Sequence, residues 1–172
     1  FGGYSPKIHP TAFVSEAAYV VGNVEIGEGS SIWPGTIIRG NVHKIKIGKH
    51  VNIQDNCVLH TDSDADYGDY VTLGHHVICH AKTVETHCLL GNGAVVNGEA
   101  VIGHHSVVAA GSVVLERIVI PHHSFVVGAP AEVRRQTTER HLEMIERIAQ
   151  SYERNGALFK EAGLQDPDQD KY

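Results

Sequence analysis

An aliphatic beat every six residues limits what this chain can become. It falls at Ile8, Val14, Val20, Ile26, Ile32 and Ile38, and resumes at Ile47, Ile53, Leu59, Leu73 and Cys79. It closes with Val84, Leu90, Val96, Ile102, Val108, Val114, Ile120 and Val126. The residue after the beat is often Gly (Gly27, Gly48, Gly74), and the residue four after it is small or β-branched (Ser30, Thr36, Val51, Cys57). A period of six fits neither an amphipathic helix nor an alternating strand. It marks a hexapeptide β-helix, in which each hexapeptide lays one short strand along one side of a coil. Three hexapeptides close a triangular turn of about eighteen residues, so the chain supplies about seven turns of an all-β solenoid. The beat residue and the small residue four after it point inward. The Gly and β-branched content is poor helix-forming material, which disfavours a helical alternative.

The beat slips in three places. Three extra residues lie between Ile38 and Ile47, two between Leu59 and Leu73, and one is missing between Cys79 and Val84. Insertions should bulge at one edge and leave the coil in register above and below. The second, TDSDADYGDY (61–70), has the composition of a loop. With the slips allowed for, Ile38, Leu59, Cys79 and Val96 begin strands on one face, and Ile32, Ile53, Leu73 and Leu90 on the next. Residues after the beat then stack at the β spacing of about 4.8 Å. One column reads Arg39, His60, His80, Asn97; a column on the other face, two after the beat, includes Asp55 and His75.

The hexapeptide coil is expected over 1–130, a C-terminal helical segment over 131–164 and a polar, disordered tail over 165–172. Thr137 or Thr138 can cap the helix, with Glu139 or His141 nearby. Leu142, Ile145, Ile148 or Ala149, and Tyr152 recur at helical spacing, and Gly156 should interrupt the helix. The helix is expected to pack on the outside of the coil or on a neighbouring subunit.

A 172-residue chain that is 42% hydrophobic can bury one core. The net charge of −6 includes no basic run, so nucleic-acid binding is not expected. No apolar stretch reaches the length of a membrane span. The N-terminal FGGYSPKIHP shows no signal pattern. Cys57, Cys79 and Cys88 are odd in number and all at inward positions, as befits buried thiols in a reducing cytoplasm.

Thirteen histidines offer ligands. His60 and His80 are vertical neighbours, spaced to share one metal ion. His75 lies around a corner, badly placed to reach that ion within one chain but well placed to reach the pair of a neighbour. Three coils packed with these faces together would make three-histidine sites with an open fourth position, which is the arrangement that activates water. The placement implies a homotrimer. His43, His76, His87, His104, His105, His122 and His123 read as solvated turn residues. Around the site, Asp55 could hold a ligand histidine or pair with Arg39, and Gln54 could orient a bound water. A ladder of buried polar groups satisfying one another at a subunit interface is the structural alternative for Arg39, Asn41, Asn52, Gln54 and Asp55.

The segments SSIWPGTIIRGN (30–41), VNIQDNCVLH (51–60), VTLGHHVICH (71–80) and VVGAPAEVRR (126–135) resemble the γ-class carbonic anhydrases and their short relatives, over Pro6 to about Tyr152. The resemblance implies a left-handed parallel β-helix assembled as a trimer. It implies zinc, or else iron or cobalt, held by His60 and His80 of one subunit and His75 of the next. It carries functional roles to Arg39, Asn52, Gln54 and Asp55, and to Tyr152 on the C-terminal helix. The implied reaction is reversible hydration of CO2 to bicarbonate in the cytoplasm. Two departures stand out: Asn41 occupies a position that is usually Asp, and the acidic proton shuttle of the archetype has no counterpart. The alternatives are a hexapeptide acyltransferase or acyl-CoA thioesterase-like enzyme, and a catalytically silent metal-binding assembly subunit.

Overall fold

The computed structural model describes residues 2–167. Parallel strands, most of them two residues long, wind into a left-handed solenoid of about seven turns, with one C-terminal helix. The beat sets the register. Ile38 pairs with Leu59, Leu59 with Cys79, and Cys79 with Val96, while Ile32, Ile53, Leu73 and Leu90 pair in series on the next face. Both columns follow the expected phase. A third face carries Ile47, Tyr67, Val84 and Ile102. The beat residues and the small residues between them fill one continuous buried core. The glycine after the beat permits close stacking: a Cβ on Gly27 would lie 2.4 Å from the Gly48 carbonyl oxygen one turn up.

The slips are absorbed differently from the simple expectation. The first insertion does not loop out, because Ile37–Ile47 is one eleven-residue strand that rounds a corner. Its register against Tyr19–Ile26 shifts between Gly22 and Val24. The second is not wholly a loop either. Ala65–Tyr67 forms a strand, and fully buried Tyr67 takes the beat position. An aliphatic search misses that step because the inward residue is aromatic.

The three faces present different outer surfaces. One shows Lys7, Glu25, Lys46 and Asp66 as register partners of alternating charge, with Lys46–Asp66 at 3.3 Å and Lys44–Glu25 at 2.8 Å. A second shows Tyr19, Ile37, Val58, Ile78, Val95 and Val113, an unbroken apolar row. Tyr19 is 61% exposed, Ile37 41% and Ile78 45%. The third is covered by the C-terminal helix.

The chain leaves the coil through an antiparallel strand, Ala131–Gln136, paired with Ser124–Gly128. The helical part of 131–164 therefore begins only at helix α1, Glu139–Glu161. Thr138 is the N-cap, its N–H donating to His141 Nδ1 at 2.9 Å. The helix packs on its own coil with Ile145 and Ala149 buried. It runs through Gly156 without interruption. That glycine is a packing contact, since a Cβ there would lie 3.1 Å from Phe13 Cβ and 3.4 Å from Ser31 Cβ. Aromatic rings seal the junction: Trp33 meets Phe159 at 5.0 Å and Tyr152 at 5.3 Å, both edge-on. The start of the tail is tied down as well, with Gln165 bridged to Ser15 and the Asp166 N–H donating to the Val14 carbonyl at 2.8 Å. The rest of the expected disordered tail, 168–172, lies outside the described residues. Among the described residues no helix is long and apolar enough to cross a membrane.

Candidate metal centre

His60 and His80 follow Leu59 and Cys79, which are register partners, so their rings sit one above the other at the edge of the apolar face. Their centroids are 5.4 Å apart and nearly perpendicular, at 86°. His60 Nδ1 lies 2.9 Å from the Arg39 carbonyl oxygen. A carbonyl can only accept, so Nδ1 carries the proton and Nε2 keeps its lone pair. His75 sits at the corner reached from the helix-covered face. Its Nδ1 is 2.9 Å from Asp55 Oδ2, and the same logic leaves Nε2 as the free ligand atom. A carboxylate or carbonyl behind a ligand histidine is the usual outer shell of a metal site.

His60, His75 and His80 do not form a converging group of three within one chain. Among the described residues that criterion is met by His104, His105 and His123, whose ligand atoms all lie within 4.8 Å of one another. Spacing alone left these residues as solvated turn histidines. The available signal was the eighteen-residue interval His87–His105–His123 together with the doubled HH at 104–105 and 122–123. His87, His105 and His123 occupy coil corners in the left-handed region, with φ of 56°, 58° and 55°. Histidine is among the residues that tolerate it. With His50 and Tyr70 they form one ringed column whose neighbours are 4.8 to 5.0 Å apart. Burial, then the neighbouring His87, His123 and His104, hold the His105 imidazole below its ordinary pKa.

The polar residues around His60 separate into two groups. Asp55 is committed to His75, while Arg39 donates to Asn41 Oδ1 at 2.6 Å. Asn41 thus keeps a hydrogen bond to Arg39 without a charge. Gln54 and Asn52 are buried, at 6% and 1% exposure. Asn52 is the register partner of Thr72, yet neither Asn52 Nδ2 and Oδ1 nor Thr72 Oγ1 has a hydrogen-bond partner. Tyr152 reaches the same region from α1. Burial and then the Asp55 charge raise its hydroxyl pKa, so it stays a protonated donor at neutral pH. The buried thiols belong to the core: burial pushes Cys57 and Cys88 up to about 12.

No family model matches the sequence. A Geobacillus kaustophilus protein named carbonic anhydrase is 44% identical over 162 residues, covering 93% of this chain and 89% of that one. The mitochondrial gamma carbonic anhydrase 2 of Arabidopsis thaliana is 37% identical over 156 residues, 86% of this chain and 56% of its own length. The chain belongs to the γ-class carbonic anhydrase family. Membership agrees with the motifs at 30–41, 51–60 and 71–80, which carry all three histidines of the expected centre. The chain spans little more than half of the plant relative. Among solved structures, a Bacillus cereus protein provisionally named an acetyltransferase superposes with a TM-score of 0.91. It shares 36% identity over 94% of this chain and 95% of its own. The family fold therefore also carries transferase names.

An all-imidazole donor set suits zinc, cobalt or iron. His60 and His75 fit such an ion, since each has one ring nitrogen bonded to an acceptor and the other left with its lone pair.

Proposed function

We propose that this chain is a metal-dependent γ-class carbonic anhydrase-like enzyme that reversibly hydrates CO2, with each site built between two subunits of a homotrimer. The observation that carries the reading is the pairing of committed ring nitrogens, His60 Nδ1 to Arg39 and His75 Nδ1 to Asp55. It leaves two Nε2 atoms free, beside a third histidine, His80, stacked on His60. The apolar row from Tyr19 to Val113 supports the assembly. Among the described residues it is exposed or half-buried, and it borders the His60–His80 column, so a second copy packed on it would bring its His75 corner to the pair.

When bound there, zinc supplies Lewis acidity that makes water nucleophilic near neutral pH. The chain's own groups do the rest. Arg39 and Asp55 hold His60 and His75 in the tautomers that present Nε2. The buried Gln54 amide, next to Asp55 in the chain, orients the reacting oxygens by hydrogen bonding. The Tyr152 hydroxyl, kept protonated, can donate but does not take up the released proton at neutral pH. That proton leaves to solvent and buffer.

Stopped-flow hydration of CO2 by zinc-loaded protein tests the reading. Turnover above buffer that disappears in His80→Ala is expected; equal rates for both proteins, or none for either, reject it. The transferase name of the Bacillus cereus neighbour favours an acyl-transfer alternative, which predicts acyl-CoA turnover by metal-free protein.

A further inference from the structure

We infer that His104, His105 and His123 form a second, structural site for a borderline divalent transition-metal cation such as zinc, at a coil corner. The inference goes beyond the proposed hydration centre and does not depend on it, because the two share no residue.

The argument begins with orientation. Histidines at successive corners would by default stack in parallel columns, and His87, His105 and His123 do so, with interplanar angles of 4° and 8°. Parallel rings one turn apart do not by themselves converge on a point. His104 belongs to a second parallel column, with His122, and that column stands across the first. The His104 ring stands edge-on to both His105 and His123, at 88° and 87°, with centroids 5.0 and 5.1 Å away. His122, one turn on, stacks flat against it at 4.8 Å and 1°. The turned ring brings His104 Nδ1 to 2.8 Å from His105 Nδ1. That approach needs a proton between the two lone pairs. A cation replaces the proton and opens the pair only slightly, since metal–nitrogen bonds of about 2.0–2.1 Å span a tetrahedral N···N separation a little over 3 Å.

The surroundings suit a cation. Glu85 Oε2 accepts from the His104 N–H at 2.8 Å, so a carboxylate lies against the corner. The backbone under the ligands is held: the His123 N–H donates to the His104 carbonyl at 2.9 Å. Thr137, on the segment leading into α1, bonds both ligand-bearing turns, through its hydroxyl to the His105 carbonyl at 3.0 Å and its N–H to the His123 carbonyl at 2.8 Å. Ligands fixed on a rigid corner bind with little ordering cost. Their three nitrogens leave a fourth position for solvent. The ion would clamp the last turns of the coil to each other, next to the strand that leads into the helix.

Cobalt(II) is the probe, titrated into the full chain carrying His60→Ala and His80→Ala, which removes the other candidate centre. The expected result is a visible d–d spectrum saturating at one cobalt per chain and displaced by zinc. His123→Asn or His105→Asn in that background should weaken binding by at least about tenfold. Asn tolerates the left-handed backbone at both corners, and circular dichroism with solution mass confirms that each variant keeps its fold. No cobalt uptake in the folded background protein overturns the inference. So does uptake that is unchanged in both folded Asn variants. Loss of CO2 hydration in the background with cobalt still bound separates this site from the hydration centre.

Discussion

His75 Nδ1 lies 2.9 Å from Asp55 Oδ2, and this contact selects the nitrogen that His75 can offer to anything else. Asp55 follows Ile53 by two positions, and His75 follows Leu73 by two. The register that stacks Ile53 on Leu73 therefore stacks the carboxylate on the imidazole. Removing the carboxylate leaves the ring free to turn and to change tautomer. Asp55→Ala should weaken zinc binding at the proposed hydration centre by about 10–100-fold. Competition with a chelator at fixed pH measures it, preferably in a His123→Asn background so that only one class of site is counted.

The apolar row at Tyr19, Ile37, Val58, Ile78, Val95 and Val113 is the surface through which copies of the chain should associate. Ile78→Glu places a carboxylate in its middle, one residue before Cys79 and two before His80. Burying an unpaired charge costs several kcal/mol, so light scattering should report a monomer in place of the proposed trimer. Zinc retention at the His60–His80 pair should fall with it. A trimer that survives the substitution would remove the shared-site reading.

Gly156 lies against Phe13 and Ser31, too close for a branched side chain. Gly156→Val must push the helix away from the coil or distort the Phe13–Trp33–Phe159 cluster. Urea unfolding should show a loss of about 1–3 kcal/mol, the usual cost of overpacking a filled contact.

Cys57 and Cys88 have pKa values near 12, against an ordinary 9.0, because burial disfavours the thiolate. Native protein at pH 8 should therefore resist iodoacetamide, and urea-unfolded protein should be alkylated at all three cysteines. The folded values lie above the unfolded ones. The unfolded chain thus releases protons first as pH rises, and stability falls. This contribution is intact below about pH 9 and is lost progressively toward pH 12. The urea midpoint followed across that range gives the check.

The coil and the phase of most inward residues follow from the beat alone. Inward Leu59 and Cys79 have to be aliphatic or small, and each step of six adds one side of a triangle. That is why the columns Arg39–His60–His80 and Asp55–His75 could be placed. Tyr67 escaped because a buried aromatic satisfies the same inward position without looking like the beat. Helix propensity alone marks Gly156 as a break, whereas packing against Phe13 makes the missing side chain an advantage. The histidines at 104, 105 and 123 are hidden for a similar reason: a coil turn accounts for their residue type, with His105 and His123 at left-handed corners, without saying where the rings point.

The hexapeptide beat is enough to set the solenoid, its register and the stacking of His60 on the His80 turn, because it is a local rule repeated with little dependence on distant contacts. Three-dimensional packing settled which face the helix covers and which ring nitrogens are already bonded. It also turned His104 across the His105–His123 column. Those outcomes depend on side-chain rotamers and on contacts between residues more than a hundred positions apart, such as Phe13 with Gly156 and Phe159, and spacing along a chain carries neither.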